Sequence, residues 1–184
     1  LETYFGYTSF RPAQEAPIAS LLRNEDVIGI MPTGAGKSIC FQIPALCKAG
    51  LTIVFSPLIS LMKDQVDGLL VQNIPAALIN STLTQSEFNK TMYEVRSGKI
   101  KLLYIAPERL SSNFFCNVLR ALPIAQVIVD EAHCISEWGH DFRPSYRLIG
   151  EWLNSLPKRP IVGAFTATAT KYVENDIKKL LGLD

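Results

Sequence analysis

The amino-acid sequence predicts an α/β fold in which a parallel β-sheet is sandwiched between layers of helices. Three observations carry that expectation. Six short apolar runs recur along the chain, most with β-branched residues on successive positions, as strands buried on both faces require. Longer amphipathic stretches alternate with them, the order that builds parallel sheets. Polar and glycine-rich clusters follow the apolar runs, where loops at the carboxyl ends of such strands hold ligands.

Each element is read from its own residues. A helix is expected over 11–22, followed by a strand over 27–31, where Val27-Ile28-Gly29-Ile30-Met31 is apolar throughout. A helix over 37–47 leads to a strand over 52–55, and a helix over 59–70 to a strand over 76–79. Then come a helix over 85–96, a strand over 101–105, a helix over 108–119 and a strand over 126–129. The chain closes with a helix over 146–153, a strand over 161–165 and a helix over 170–181. In that last helix Val173, Ile177, Leu180 and Leu181 share one face, while Lys171, Glu174, Lys178 and Lys179 share the other.

Composition bounds the function. A chain of 184 residues falls within the range of one domain. With 48% apolar and 19% charged residues, intrinsic disorder is excluded. Eighteen Lys and Arg face seventeen Asp and Glu, a formal net charge of +1, so bulk charge does not make this a polyanion binder. Any nucleic-acid site must be local. No apolar run reaches the roughly 18 residues of a membrane span, and no signal sequence opens the chain. A soluble, intracellular, non-secreted protein is expected, with no membrane partner. Cys40, Cys47, Cys116 and Cys134 form no C-x-x-C pair, and neither His133 nor His140 completes a zinc pattern. The cysteines read as small buried hydrophobes. The chain starts at Leu1 rather than Met, which suggests a piece of something longer.

Two segments carry chemistry. In Met31-Pro32-Thr33-Gly34-Ala35-Gly36-Lys37-Ser38 a strand ends, a glycine-containing turn follows and a helix begins. Glycines let the backbone approach phosphate oxygens, and the N–H groups of the turn and helix start point at the anion. Lys37 is expected to reach the β and γ phosphates, and the Ser38 hydroxyl to ligand Mg²⁺. The strict G-x-x-x-x-G-K-[ST] pattern wants Gly where Met31 stands, which favours an NTPase whose loop is T-G-x-G-K-[ST]. The second segment, Val127-Ile128-Val129-Asp130-Glu131-Ala132-His133, ends an apolar strand in adjacent carboxylates. Like charges there repel unless a cation joins them. Asp130 is expected to hold Mg²⁺ and Glu131 to act as general base on the attacking water. Mg²⁺-dependent nucleoside-triphosphate hydrolysis follows.

These two motifs together resemble superfamily 2 helicases of the DEAH-box lettering. Further segments resemble the RecQ family of DNA helicases over nearly the whole chain. Phe5-Gly6-Tyr7-x-x-Phe10-Arg11-Pro12-x-Gln14 is similar to that family's adenine-recognition motif. The resemblance implies that Gln14 hydrogen-bonds the adenine edge while Tyr7 and Arg11 pack on the base. From its residues alone, Gln14 reads as an exposed helix residue and Tyr7 as core. Phe55 to Gln65 and Tyr104 to Leu110 resemble motifs Ia and Ib, and the resemblance makes Ser56, Ser60 and Arg109 candidates for DNA-phosphate contact. Ser136 to Tyr146 resembles the family's aromatic-rich loop, which implies single-stranded DNA contact by Trp138, His140, Phe142 and Arg143. Ala164-Phe165-Thr166-Ala167-Thr168-Ala169 is similar to motif III, which implies coupling of hydrolysis to DNA movement through Thr166 and Thr168, together with His133. Phe165 and Ala35 depart mildly from the usual family residues.

The resemblance implies a RecA-like P-loop NTPase lobe over residues 1–184, the first of two in an ATP-dependent 3′–5′ DNA helicase. The cofactors implied are ATP and Mg²⁺, with zinc only in a C-terminal region absent from this sequence. The partners implied are single-stranded and duplex DNA and the second lobe of the same polypeptide. The location implied is the bacterial cytoplasm and nucleoid, or a eukaryotic nucleus. No Gln-x-x-Gly-Arg-x-Gly-Arg segment is present to supply an arginine finger. Two other readings remain open: a superfamily 2 translocase that remodels rather than unwinds, and a non-enzymatic nucleic-acid-binding module with an idle nucleotide site.

Overall fold

A computed structural model describes residues 1–183. Six strands form one sheet in the order β1-β6-β5-β2-β4-β3, and every neighbouring pair runs parallel. The strands are β1 (Val27–Ile30), β2 (Leu51–Phe55), β3 (Ala76–Ile79), β4 (Leu102–Ile105), β5 (Ile124–Val129) and β6 (Ile161–Thr166). The helices are α1 (Glu2–Phe5), α2 (Pro12–Leu22), α3 (Lys37–Cys47), α4 (Ile59–Val71), α5 (Gln85–Arg96), α6 (Asn113–Arg120), α7 (Arg147–Asn154) and α8 (Lys171–Leu181). Among the described residues, no helix is long and apolar enough to cross a membrane.

The sheet is buried on both faces, so successive residues of one strand enter different cores. Leu51, Ile53 and Phe55 of β2, Leu103 and Ile105 of β4, and Val127 and Val129 of β5 join one core, built with α5, α6, α7 and α8. Val54, Tyr104, Ile128 and Phe165 point the other way, into a core built with α2, α3 and α4. Each large apolar side chain so buried contributes roughly 1.5–3 kcal/mol. The two cores hold the sheet as the rigid middle of three layers.

One expected helix is not continuous. The stretch expected as a helix over 108–119 divides into a 3-10 turn, Pro107–Ser111, and α6. Ser112 causes the break: its extended backbone (φ −89°, ψ 113°) ends the turn, and its side chain caps α6 by accepting from the Phe115 N–H at 3.3 Å. The short helix α1 was not expected. Gly6, at φ 70°, closes it after one turn.

The strand order places the chemistry. β1, β6, β5 and β2 are consecutive in the sheet, so the loops after them stand side by side at one edge: residues 31–36, 167–170, 130–146 and 56–58. The Met31 N–H donates to the Thr166 carbonyl at 2.9 Å, so the phosphate loop starts on the neighbouring strand. On the α7/α8 face the layers touch closely at Gly150, where an added Cβ would meet the Leu180 carbonyl oxygen. A Gly150→Ala substitution should therefore lower stability by about 1–3 kcal/mol. A urea midpoint equal to that of the wild type would show that α7 and α8 separate freely.

Candidate active site

The phosphate loop is shaped by two glycines. Gly34 and Gly36 both adopt φ 81°, which L side chains rarely take, and Gly36 caps the start of α3. Ala35 between them keeps negative φ, so its departure from the family residue leaves the turn intact. Gln14 holds this loop from α2. Its side chain is 3% exposed; Nε2 donates to the Gly36 carbonyl at 3.1 Å and Oε1 accepts from the Arg11 N–H at 2.8 Å. The Arg11 guanidinium donates to the Gly34 carbonyl. Gln14 is thus neither exposed nor free. It is a brace under the phosphate loop, and both ends of its amide are engaged by backbone. Tyr7 is exposed rather than core, standing at the mouth of the same cavity.

That cavity, about 530 Å³, is lined by Tyr7, Arg11, Gln14, Thr33, Gly34, Gly36, Lys37, Ser38, Asp130 and Glu131, all expected from the sequence. It also has Ser9, Ile39, Leu61 and Gln65 in its wall. A larger hollow of about 860 Å³ lies at the opposite ends of the strands, around Lys48, Arg120 and Lys158. It has no carboxylate in its wall and no phosphate loop, so the smaller cavity is the chemical one.

Asp130 ends β5 almost fully buried, at 4% exposure. Burial first, and then the charge of Glu131, push its pKa up to about 6; Lys37, the Glu131 N–H and the Gln65 amide pull partly back. A carboxylate held this way is poised for a cation. The Asp130 Oδ1 accepts from the Glu131 N–H at 3.0 Å, and the buried Tyr146 hydroxyl donates to the Asp130 carbonyl at 2.8 Å. Burial keeps Tyr146 protonated as a donor. Glu131 takes the left-handed conformation (φ 49°, ψ 47°), a strain of about 1–3 kcal/mol that turns its carboxylate toward the loop. There the Lys37 ammonium stands 3.6 Å from Oε1, and His133 Nδ1 stands 3.4 Å from Oε2.

His133 links this centre to its neighbours. Its Nδ1 lies 2.7 Å from the Thr166 Oγ1, and that hydroxyl donates to the Thr168 carbonyl at 3.2 Å. Thr168 joins the network through its backbone, with its side chain exposed. The exposed His140 ring stacks on His133 at 4.1 Å and 18°, so the aromatic-rich loop touches the carboxylate turn directly. Trp138 is 77% exposed at the tip of that loop. Phe142 lies under the Arg147 guanidinium at 5.2 Å. Arg143 donates to Asp141 at 3.2 Å and to the Pro57 carbonyl at 3.1 Å, tying the loop to the turn after β2.

The backbone-contact candidates divide. Ser60 is exposed on the first turn of α4. Arg109 packs over Phe115 at 5.0 Å and borders a hollow of about 320 Å³ with Ser81, Ser111 and Ser112. Ser56 is fully buried, with Oγ unpaired, because the end of β2 is covered on both sides. Its side chain does not reach the surface, so the expectation of a phosphate contact there is corrected.

Three functional positions were not singled out from the sequence: Gln65, Tyr104 and Tyr146. The Gln65 Oε1 accepts from the Tyr104 hydroxyl at 2.8 Å, and that hydroxyl accepts from Gln42 on α3 at 3.4 Å. This chain of polar groups joins the phosphate-loop helix to Asp130. The one signal available was a tyrosine inside an otherwise aliphatic strand, Leu102-Leu103-Tyr104-Ile105, since a buried phenol needs a partner.

A family model for DEAD/DEAH box helicases matches residues 11–176. The chain is 51% identical over 182 residues to an ATP-dependent DNA helicase RecQ of Bacillus subtilis, covering 98% of this chain and 31% of that protein. It is 47% identical over 183 residues to the Haemophilus influenzae protein of the same name, covering 100% of this chain and 29% of that one. A mouse ATP-dependent DNA helicase Q5 is 44% identical over 191 residues, with 100% and 19% covered. The chain therefore spans less than a third of the length of these relatives. Among solved structures, the Pyrococcus furiosus Hef helicase domain superposes with a TM-score of 0.72 at 19% identity, over 95% of this chain and 36% of that one. A hypothetical ATP-dependent RNA helicase from Sulfolobus tokodaii gives 0.71 at 22%, over 96% and 51%. These two likenesses speak to the fold.

The raised Asp130 pKa has a measurable consequence. Because the folded value lies above the ordinary 3.8, the fold binds more protons than the unfolded chain between those values, and stability falls as pH rises through that window. In chelator-treated buffer, Asp130→Asn should gain stability relative to wild type between about pH 4 and 6 and hold that advantage above it. A difference that stays constant across this range would remove burial as the cause.

Proposed function

The chain belongs to the DEAD/DEAH box helicase family, and from that premise we propose that it is the ATP-binding lobe of a RecQ-type, ATP-dependent 3′–5′ DNA helicase. The observation that carries the reading is one cavity in which the phosphate loop, Lys37, Ser38, Asp130 and Glu131 all converge. The wider match, 44–51% identity to three DNA helicases over nearly the whole chain, supports DNA as the polymer.

ATP enters with its phosphates against the N–H groups of residues 34–38 at the start of α3, where the helix dipole favours an anion. Lys37 turns to the β and γ phosphates. Ser38 and Asp130 fit a hard divalent cation: a hydroxyl and a buried carboxylate of raised pKa border one cavity without a protein cation bonded to Asp130. A Mg²⁺ held there by Ser38 and Asp130 would neutralise charge on the phosphate oxygens. Glu131, in the wall of the same cavity, accepts the proton of the attacking water. Tyr7 and Arg11 border the mouth, where a base packs. An adenine contact by Gln14 draws on an amide already bonded to Gly36, so it bears on the phosphate loop as well as on the base.

DNA lies across the loops after β2, β4 and β5. Ser60 and Arg109 face the backbone; Trp138, His140, Phe142 and Arg143 supply stacking and cationic surface, about 1–3 kcal/mol per stacked base. The His140 to His133 to Thr166 contacts form the physical path from that surface to Glu131. A second lobe completes the cleft and supplies the arginine finger, worth about 10³–10⁵ in rate.

The test compares substitutions by nucleotide binding and turnover. Lys37→Ala should weaken ATP binding at least tenfold. Glu131→Gln should retain binding and, in the full-length protein, lose DNA-stimulated hydrolysis by at least about 100-fold. The 184-residue chain alone should hydrolyse ATP very slowly and leave duplex DNA intact. Unchanged turnover in Glu131→Gln would sink the general-base assignment, and strand separation by this chain alone would sink the two-lobe reading.

A further inference from the structure

The turn after Glu131 gathers three side chains that hydrolysis does not use as a set: His133, Cys134 and Asp141. Cys134 Sγ lies 3.7 Å from His133 Nε2 and 3.9 Å from Asp141 Oδ2. All three atoms fall within 4.8 Å of one another. In a tetrahedral zinc site, bonds of roughly 2.0–2.3 Å set neighbouring ligand atoms roughly 3.3–3.6 Å apart. The two close pairs therefore need to contract by only a few tenths of an ångström.

The hydrogen bonds fix the form of the histidine. The Thr166 hydroxyl spends its proton on the Thr168 carbonyl, so at 2.7 Å it accepts from His133 Nδ1. The ring proton is thus on Nδ1. Burial, and then the neighbouring His140, lower the ring's pKa, so it is neutral and Nε2 keeps its lone pair. A histidine oriented through one nitrogen and bare at the other is the form that metals take. The stacked His140 ring holds its plane. His133 and Cys134 are buried, whereas the Asp141 side chain is 47% exposed, which gives an ion a way in from solvent.

We propose that His133 Nε2, Cys134 Sγ and Asp141 Oδ2 form a site for a thiophilic divalent cation, zinc by its mixed nitrogen, sulfur and oxygen donors. It is separate from the Ser38/Asp130 site, whose oxygen donors suit Mg²⁺. On binding, the sulfur–metal bond forms as the thiol proton leaves to solvent. Burial and Asp141 push that thiol up to about 12, so the metal itself must displace the proton. Asp141 Oδ2 exchanges its Arg143 partner for the ion, while Arg143 keeps the Pro57 carbonyl. Trp138 and His140 lie between the ligands in sequence, so the ion clamps the exposed loop to the carboxylate turn. The site itself stands without the helicase reading; only the consequence of the clamp, slower coupling of DNA to hydrolysis, rests on it.

The experiment uses Co²⁺ as a spectroscopic probe on the chelator-stripped 184-residue chain, then Zn²⁺ in competition. Expected are a thiolate-to-cobalt absorption, tetrahedral d–d bands, and displacement by one equivalent of Zn²⁺. Asp141→Asn and Cys134→Ser should each weaken binding by roughly 10–100-fold. Cys47→Ser, at the exposed cysteine, should change nothing. Circular dichroism checks each fold; should Cys134→Ser fail to fold, the exposed Asp141→Asn decides. No thiolate band, a band that survives Cys134→Ser, undiminished binding in Asp141→Asn, or loss confined to Cys47→Ser would each overturn the site.

Discussion

Asp130 sits at the carboxyl end of β5, between β6 and β2, with almost no access to water and a second carboxylate next to it in the chain. Two adjacent negative charges at such a place destabilise a fold unless the surroundings answer them. The rest of the site reads as those answers. The Glu131 N–H and the Gln65 amide serve the Asp130 carboxylate, and Tyr146 takes up its carbonyl. The backbone at Glu131 swings left-handed, which sends the second carboxylate away from the first and toward Lys37. Burial first, and then the excess negative charge, keeps the Asp130 pKa near 6. A cation relieves that excess, so affinity for one is built into the sheet rather than added to it.

Thr166 distributes this local chemistry. Its carbonyl accepts from Met31 at the start of the phosphate loop, its hydroxyl donates to the Thr168 carbonyl, and the same oxygen accepts from His133. Three loops therefore meet on one buried residue at the end of β6. A shift of His133, pressed by His140 from the aromatic loop, reaches the phosphate loop through two hydrogen bonds and one strand end. That route is short and made of strong directional contacts. It is a contiguous chain of packed and hydrogen-bonded groups, the kind of network that can carry energetic coupling.

The parts legible in the sequence are those whose chemistry is local. Gly34, Gly36, Lys37 and Ser38 lie in one turn, and Asp130 and Glu131 are adjacent, so spacing alone reveals them. The strands were legible because double-sided burial demands unbroken apolar runs. What stayed hidden depends on contacts far apart in the chain. Tyr104 on β4 meets Gln65 on α4 across 39 residues, Tyr146 bonds Asp130 across 16 residues, and Gln14 braces a loop 22 residues away. The resemblance made Ser56 a candidate for phosphate contact, yet the layers close over it. The break before α6 rests on the extended backbone and cap of Ser112, inside a stretch whose residues otherwise read as one helix.

The Lys37–Glu131 pair adds a last consequence. Both side chains are largely shielded, and they stand 3.6 Å apart. An ammonium so near fixes where the Glu131 carboxylate stands. In the proposed mechanism, triphosphate oxygens compete for the same ammonium with several charges at once. In that mechanism Lys37 turns to them, and the Glu131 carboxylate is released from the ion pair. His133 Nδ1, bonded to Thr166 and 3.4 Å from the other carboxylate oxygen, limits how far Glu131 can then move. The group that binds the substrate is thus also the group that restrains the base, and one side-chain movement performs both tasks.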